Sequence, residues 1–146
     1  MKANEVIREM KSINNSISQI FKNVGYVDGT EYDKLEVDEE NPNDIFLERE
    51  MSKIFYMYEC SQKLFAYLDL EIKYESKLFL NDDGRYETEK GDNFTCGSII
   101  EYLSNDERYN DYPFWRKSRI ESDGGEYYIV DEPKISLSGL LVRVRG

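Results

Sequence analysis

Between residues 4 and 24 the apolar positions Val6, Met10, Ile13, Ile17, Ile20 and Val24 recur at steps of four, three, four, three and four. That is the period of one face of an α-helix. Ile7 and Phe21 widen the stripe, Lys22 sets a cation in the last turn, and Gly25 supplies a C-terminal stop. A second helix is announced by the sequence NPND, where Asn43 or Asp44 is expected to accept from the free N–H groups of the first turn. Leu47, Met51, Ile54, Tyr58, Phe65 and Leu68 continue at helical steps, with Ser61 in the apolar place between Tyr58 and Phe65, and Phe55 and Leu64 broaden the face. Neither helix can bury its stripe alone. Because they are neighbours in sequence, the pattern predicts an antiparallel hairpin with the two stripes facing each other.

From about residue 72 the period changes to two. SKLFL and RYETE flank an Asp-Gly turn, SIIEYL follows, YPFWRKSRIE and EYYIV are joined by SDGG, and LLVRVR closes the run. Five or six short strands without an intervening helical pattern predict a small antiparallel β-sheet or an SH3-like, partly closed barrel. The fold class expected is therefore α+β. Residues 1–70 form the helical hairpin with a long acidic connection at about 25–43, and residues 71–146 form a small all-β domain.

Composition narrows the function classes. The chain has 146 residues and a formal net charge of -11, with 34% charged and 40% apolar residues, enough aromatic area to fold and no room for a large multi-domain enzyme. Apolar runs are far shorter than the roughly 20 residues of a membrane span. The N-terminus MKANEVIREMKSINN lacks the apolar core of a secretory signal, so the expected location is the cytoplasm. Cys60 and Cys96 are isolated and are read as reduced, packed thiols. Histidine is absent, which removes the commonest general base and zinc ligand and any Ser-His or Cys-His pair.

No Gly-rich phosphate loop, GxSxG elbow or zinc spacing is present, and neither VDGTEYDKLEVDEE nor LNDDGRYETEKGD keeps EF-hand spacing, because Gly29 and Gly84 fall too early. The expectation is a non-enzymatic protein with no catalytic residue, cofactor or metal. Residues 28–70 hold twelve carboxylates against four bases. Within them Glu36, Asp38, Glu39, Glu40 and Asp44, with Glu48 one turn on, are the candidate partner-binding residues: a dense row of carboxylates imitates a stretch of phosphates. The secondary candidate surface is Trp115 and Arg116, in a strand rich in cations, with Tyr128 of the strand that follows. Residues 101–146 still contain nine acids against seven bases, so direct nucleic-acid binding is not expected, and the arginines there are expected to pair across strands with Glu121, Glu101, Glu126 or Glu87.

The motifs GRYE (84–87), FTCGSIIEYL (94–103), WRKSRIE (115–121), YYIV (127–130) and LSGLLVRVRG (137–146) make the second half resemble an uncharacterised family of small proteins from Gram-positive bacteria and their mobile elements. The resemblance supplies no activity, only a setting among accessory genes. With the acidic segment, it leads to an expected role as a mobile-element inhibitor of a nucleic-acid-binding host defence nuclease, of the anti-CRISPR or anti-restriction type. The inhibitor would bind a basic protein partner, such as a CRISPR effector nuclease. The alternative is a small-barrel adaptor or dimerisation module, homodimeric through its helices.

Overall fold

A computed structural model describes residues 1–26 and 32–146. The protein is α+β, with two helices followed by two open antiparallel sheets. It divides into two compact units, Met1–Asp69 and Leu70–Gly146.

Helix α1 spans Ala3–Asn23 and α2 spans Pro42–Asp69. At the start of α1 the Lys2 backbone N–H donates to Glu5 Oε2 at 2.7 Å, satisfying a group the helix leaves free. At its end Gly25 takes φ +68°, and the N–H groups of Gly25 and Tyr26 return to the carbonyls of Lys22 and Phe21 at 3.2 and 2.9 Å, a Schellman closure. The cap of α2 is not Asn43 or Asp44. Asn41 takes that place, its side chain accepting from the Asn43 N–H at 3.0 Å. The reason is Pro42, which lacks an N–H and suits the first helical position, so the helix starts earlier. Asp44 instead accepts from the backbone of Asp38 at 3.3 Å.

The helices are antiparallel, but the seam between them is not made of the apolar stripes. Lys11 pairs with Asp69, Gln62 donates to Ser18 Oγ at 2.9 Å, and Tyr26 OH donates to Glu59 Oε2 at 2.6 Å. At one end of the seam the rings of Phe21 and Phe55 meet at 4.6 Å, and Tyr26 and Tyr32 close over them. Ile13, expected in the core, is 60% exposed, and Val6, Met10, Ile20, Leu47 and Ile54 are exposed as well. Spacing alone gives a stripe, not the partner it faces. Here Phe21 and Phe55, with the polar pairs beside them, take the place in the seam that the spacing gives to the stripes.

The sheet unit holds β1 (Ile72–Lys77), β2 (Phe79–Leu80), β3 (Tyr86–Glu87), β4 (Asn93–Phe94), β5 (Ile99–Ser104), β6 (Phe114–Asp123), β7 (Glu126–Ile129) and β8 (Leu141–Arg145). Five of them pair in the order β1-β8-β5-β6-β7, and β2-β3-β4 form a second small sheet. SKLFL does not make one strand: it breaks at buried Leu78, whose N–H bonds the Leu140 carbonyl at 3.0 Å. SDGG turns as expected, with Asp123 opposite Glu126 and both glycines at positive φ, as a two-residue hairpin demands. Ile100 and Tyr102 from β5, Ile120 from β6, Ile129 from β7 and Val142 from β8 meet Leu78, Phe94 and Leu137 in one core.

Candidate functional site

The helical unit carries a groove of about 370 Å³ where residues 35–37 run beside the first half of α2. Leu35, Val37, Leu47, Met51 and Ile54 form its apolar lining. Glu36, Asp44, Glu48 and Glu50 lie along its sides. Of the six candidate partner-binding carboxylates, the structure brings Glu36, Asp44 and Glu48 to this groove. Asp38, Glu39 and Glu40 lie on the turn that leads into α2 and are exposed, with the Glu40 N–H donating to Asp38 Oδ1 at 3.0 Å. Asp44 and Glu48 are half-buried, so their charges sit at the edge of apolar surface and are less screened than those on the turn. Periodicity did not single out Leu35 and Val37, because they lie outside any helix or strand. Their alternation with Glu36 was the signal available. Asp28, Glu31 and Gly29, part of the acidic connection, lie outside the described residues.

Trp115, Arg116 and Tyr128 do not form one surface. Adjacent residues of a strand point to opposite sides, so Trp115 and Arg116 part company at once. Arg116 turns to the side of Tyr102, its partner in register, and its guanidinium stands 3.5 Å from Asp106 and 3.6 Å from Glu132, over the ring of Tyr109 at 4.7 Å. Trp115 lies on the other side, capped by the guanidinium of Arg143 at 4.6 Å. Tyr128 shares that side but pairs with Glu121, six residues along β6, roughly 20 Å away at strand spacing.

The cations of this strand region are answered locally. Arg143 and Arg145 both bind Glu101 across β8 and β5, the second at 2.8 Å, and Arg119 binds Glu121 at 2.6 Å. Glu101 is therefore buried on the face opposite the core, under arginine stems. Asp106 and Glu132, the partners of Arg116, were missed because both lie in loops, where no strand register announces them.

A larger cavity, about 710 Å³, opens beside Asp106, Arg108, Glu132 and Lys134. Three of its charged residues, Asp106, Arg108 and Glu132, are partnered within the protein. Arg108 grips Asp106 through two bonds of 2.8 and 2.7 Å, and Glu132 accepts from Tyr102 OH and Ser104 Oγ, each at 2.7 Å. The Arg108 bond holds the Asp106 carboxyl below the usual carboxylate range, and burial followed by the Glu132 bond pushes the Tyr102 hydroxyl well above its ordinary value. A network so paired braces loops against the sheet. Among the described residues no buried side-chain nitrogen or oxygen lacks a hydrogen-bond partner.

Both cysteines are free, as expected, but exposed rather than packed. Cys96 donates to Glu121 Oε2 at 2.7 Å, and that bond raises the thiol pKa, a direction opposite to activation. Among the described residues no cluster of histidine, cysteine and carboxylate groups is arranged to hold a metal ion, and no helix is long and apolar enough to cross a membrane.

Residues 76–144 match the model of a family described as a domain of unknown function, DUF5348. The match covers most of the sheet unit and none of the helical unit, so the acid-lined groove lies outside it. Neither the curated proteins nor the solved structures contain a match to the chain.

Proposed function

We propose that this is a non-catalytic interaction protein whose helical unit binds a basic protein partner. The observation that carries the reading is the groove beside α2, where apolar lining and four carboxylates lie together. Such a groove suits a segment that inserts an apolar side chain while flanking lysines or arginines meet the acids. Apolar contact supplies affinity, and the charges supply encounter rate and choice of partner.

Asp38, Glu39 and Glu40, exposed next to the groove, extend the negative surface toward the same partner. A protein surface built to hold nucleic-acid phosphates has the complementary charge. The inhibitory form of the proposal is that the chain occupies such a surface on a defence nuclease of the CRISPR or restriction type. The test is inhibition of DNA cleavage by a panel of purified CRISPR effector and restriction nucleases, comparing the native chain with the E36Q/D38N/E39Q/E40Q variant. At physiological salt the native chain is expected to inhibit at least one nuclease and the variant to lose about tenfold or more in potency with unchanged circular dichroism. Equal potency of the two proteins would remove the acidic segment from the mechanism. The alternative, an adaptor or dimerisation role, is favoured by a different observation, the exposed stripes of the helices.

A further inference from the structure

Strand β7 is an outer strand of the five-stranded sheet and pairs, among the strands, with β6 alone. In a two-residue hairpin the residues that flank the turn exchange their backbone hydrogen bonds, and every second residue after them does the same. Glu126 and Tyr128 therefore turn their backbone groups to β6, in step with Val130, whose N–H donates to the Arg119 carbonyl at 3.0 Å. Tyr127 and Ile129 turn theirs to the outer edge. The Ile129 carbonyl is taken there by the Glu132 N–H at 3.1 Å, which leaves the backbone of Tyr127 as the open part of that edge.

Along this edge lies a groove of about 470 Å³, lined by Glu126 and Tyr127 of β7, Leu80 and Tyr86 of the small sheet, and Pro133 and Leu137. A second depression, of about 330 Å³, shares Glu126, Tyr127 and Pro133 with it and adds Asp123 and Tyr128. The two meet at Tyr127. The rings of Tyr86 and Tyr127 stand edge to face at 6.4 Å and pack against the rim of the core, which holds them in place. Tyr86, Tyr127 and Tyr128 are half-buried, yet none of their hydroxyls bonds another described residue, whereas those of Tyr26, Tyr32 and Tyr74, also half-buried, reach Glu59, Ser52 and Asp92. Asp123 and Glu126 are exposed, and neither side chain forms an ion pair with a described residue.

We propose that this groove binds a proline-rich segment in the polyproline II conformation, with a lysine or arginine beside the prolines that meets Asp123 and Glu126. A polyproline II helix makes no backbone hydrogen bonds of its own, so its carbonyls accept from isolated donors, here the tyrosine hydroxyls and the Tyr127 N–H, while its rings lie against the tyrosines. Such a segment is stiff before it binds and loses little entropy on a shallow surface. An added β-strand fits worse. It needs a run of open backbone groups, and the bond from Glu132 ends that run after Tyr127. The two carboxylates at the hairpin tip select a cation at one end of the segment. This groove shares no residue with the one beside α2, so the two readings stand or fall separately.

The test is a titration of the isotope-labelled full chain, followed by amide NMR shifts, with three synthetic peptides: about six prolines ending in two arginines, the same prolines ending in two glutamates, and about six alanines ending in two arginines. The proline-arginine peptide is expected to shift the amides of Tyr86, Gly125, Tyr127 and Tyr128 saturably and to bind about tenfold or more tightly than either of the others. Tyr127→Phe, which keeps the ring and removes the hydroxyl, is expected to weaken that peptide about threefold to tenfold with unchanged circular dichroism. The D123N/E126Q variant, altered at exposed positions, is expected to narrow the gap between the arginine and glutamate peptides by about threefold or more. Equal binding of the proline and alanine peptides overturns the proposal, as does a gap that D123N/E126Q leaves unchanged. So do shifts centred on Asp44 and Glu48, which would assign the peptide to the other groove, and the absence of saturation up to about 5 mM.

Discussion

Ile120 of β6 and Ile13 of α1 carry the same side chain into opposite surroundings: the first is wholly buried, the second 60% exposed. The contrast extends to the units that hold them. In the sheet unit the five-stranded sheet, β4 and the segments around Leu78 and Leu137 close over eight buried apolar residues, and even the outer arginines are tied down by Glu101 and Glu121. In the helical unit Phe21, Phe55 and Phe65 are the buried apolar residues among those described, while polar pairs hold the seam. The sheet unit encloses a core of its own. The helical unit buries few apolar side chains among the described residues and sets apolar area beside carboxylates in one groove, which is why binding is proposed for the helices.

The largest test of this contrast is a matched pair of truncations. Ile120→Ala empties a fully buried site and is expected to cost about 3–4 kcal/mol, whereas Ile13→Ala in the isolated monomer should fall within about 0.5 kcal/mol. Urea unfolding of both variants at concentrations too low for association measures the difference. Trp115, the single tryptophan, reports the sheet unit, and helical circular dichroism reports the hairpin. Equal losses would mean that the Ile13 face is covered within the monomer.

Next in size is Glu101→Gln. It leaves Arg143 and Arg145 half-buried beside a neutral side chain, and the expected loss is about 2–3 kcal/mol. The change should appear in the Trp115 signal and leave the helical signal unmoved. A loss below about 0.5 kcal/mol would place this cluster with ordinary surface ion pairs.

The elements of the sheet were legible where their signals are local: Gly124 and Gly125 between alternating strands specify a hairpin, and Glu101 opposite Arg143 follows once β5 and β8 are paired. The strand order was not legible, since β8 inserting between β1 and β5 rests on contacts far apart in sequence. Both helices were readable from their period, yet their rotation was misread by one residue in each. Phe21 with Phe55, Lys11 with Asp69 and Ser18 with Gln62 occupy the seam in place of the stripes, and hydrophobic periodicity carries no record of such polar pairs. For the site, the sequence supplied the carboxylates and missed Leu35 and Val37, which make a charged turn into a groove.

A smaller effect is expected at Gly25. Its φ of +68° is costly for any residue with a side chain, and a Cβ there would overlap the Asp33 carboxylate. Gly25→Ala should cost about 1–2 kcal/mol, confined to the helical signal. A matching shift in Trp115 emission would show that the two units unfold together.

The finest separation of the units comes from acid. The Glu59 carboxyl is held below its ordinary pKa first by the hydrogen bond from Lys63 and then by that from Tyr26, and Asp106 is held low first by Arg108. A depressed carboxylate contributes stability that is present above its unfolded pKa and is lost as pH falls through the folded value. Both units should therefore weaken below the usual carboxylate range. Tyr26→Phe removes one of the groups that lower the Glu59 pKa, so the folded value rises toward the ordinary one and less of that stabilisation remains at neutral pH. The helical melting temperature of this variant should sit slightly below native at pH 7 and meet it at the acid end, with the Trp115 transition unchanged. Arg108→Gln should do the converse, lowering the Trp115 transition at pH 7 and sparing the helices. If either substitution moves both signals equally across the pH series, the two regions share one cooperative transition and the contrast between them is one of surface alone.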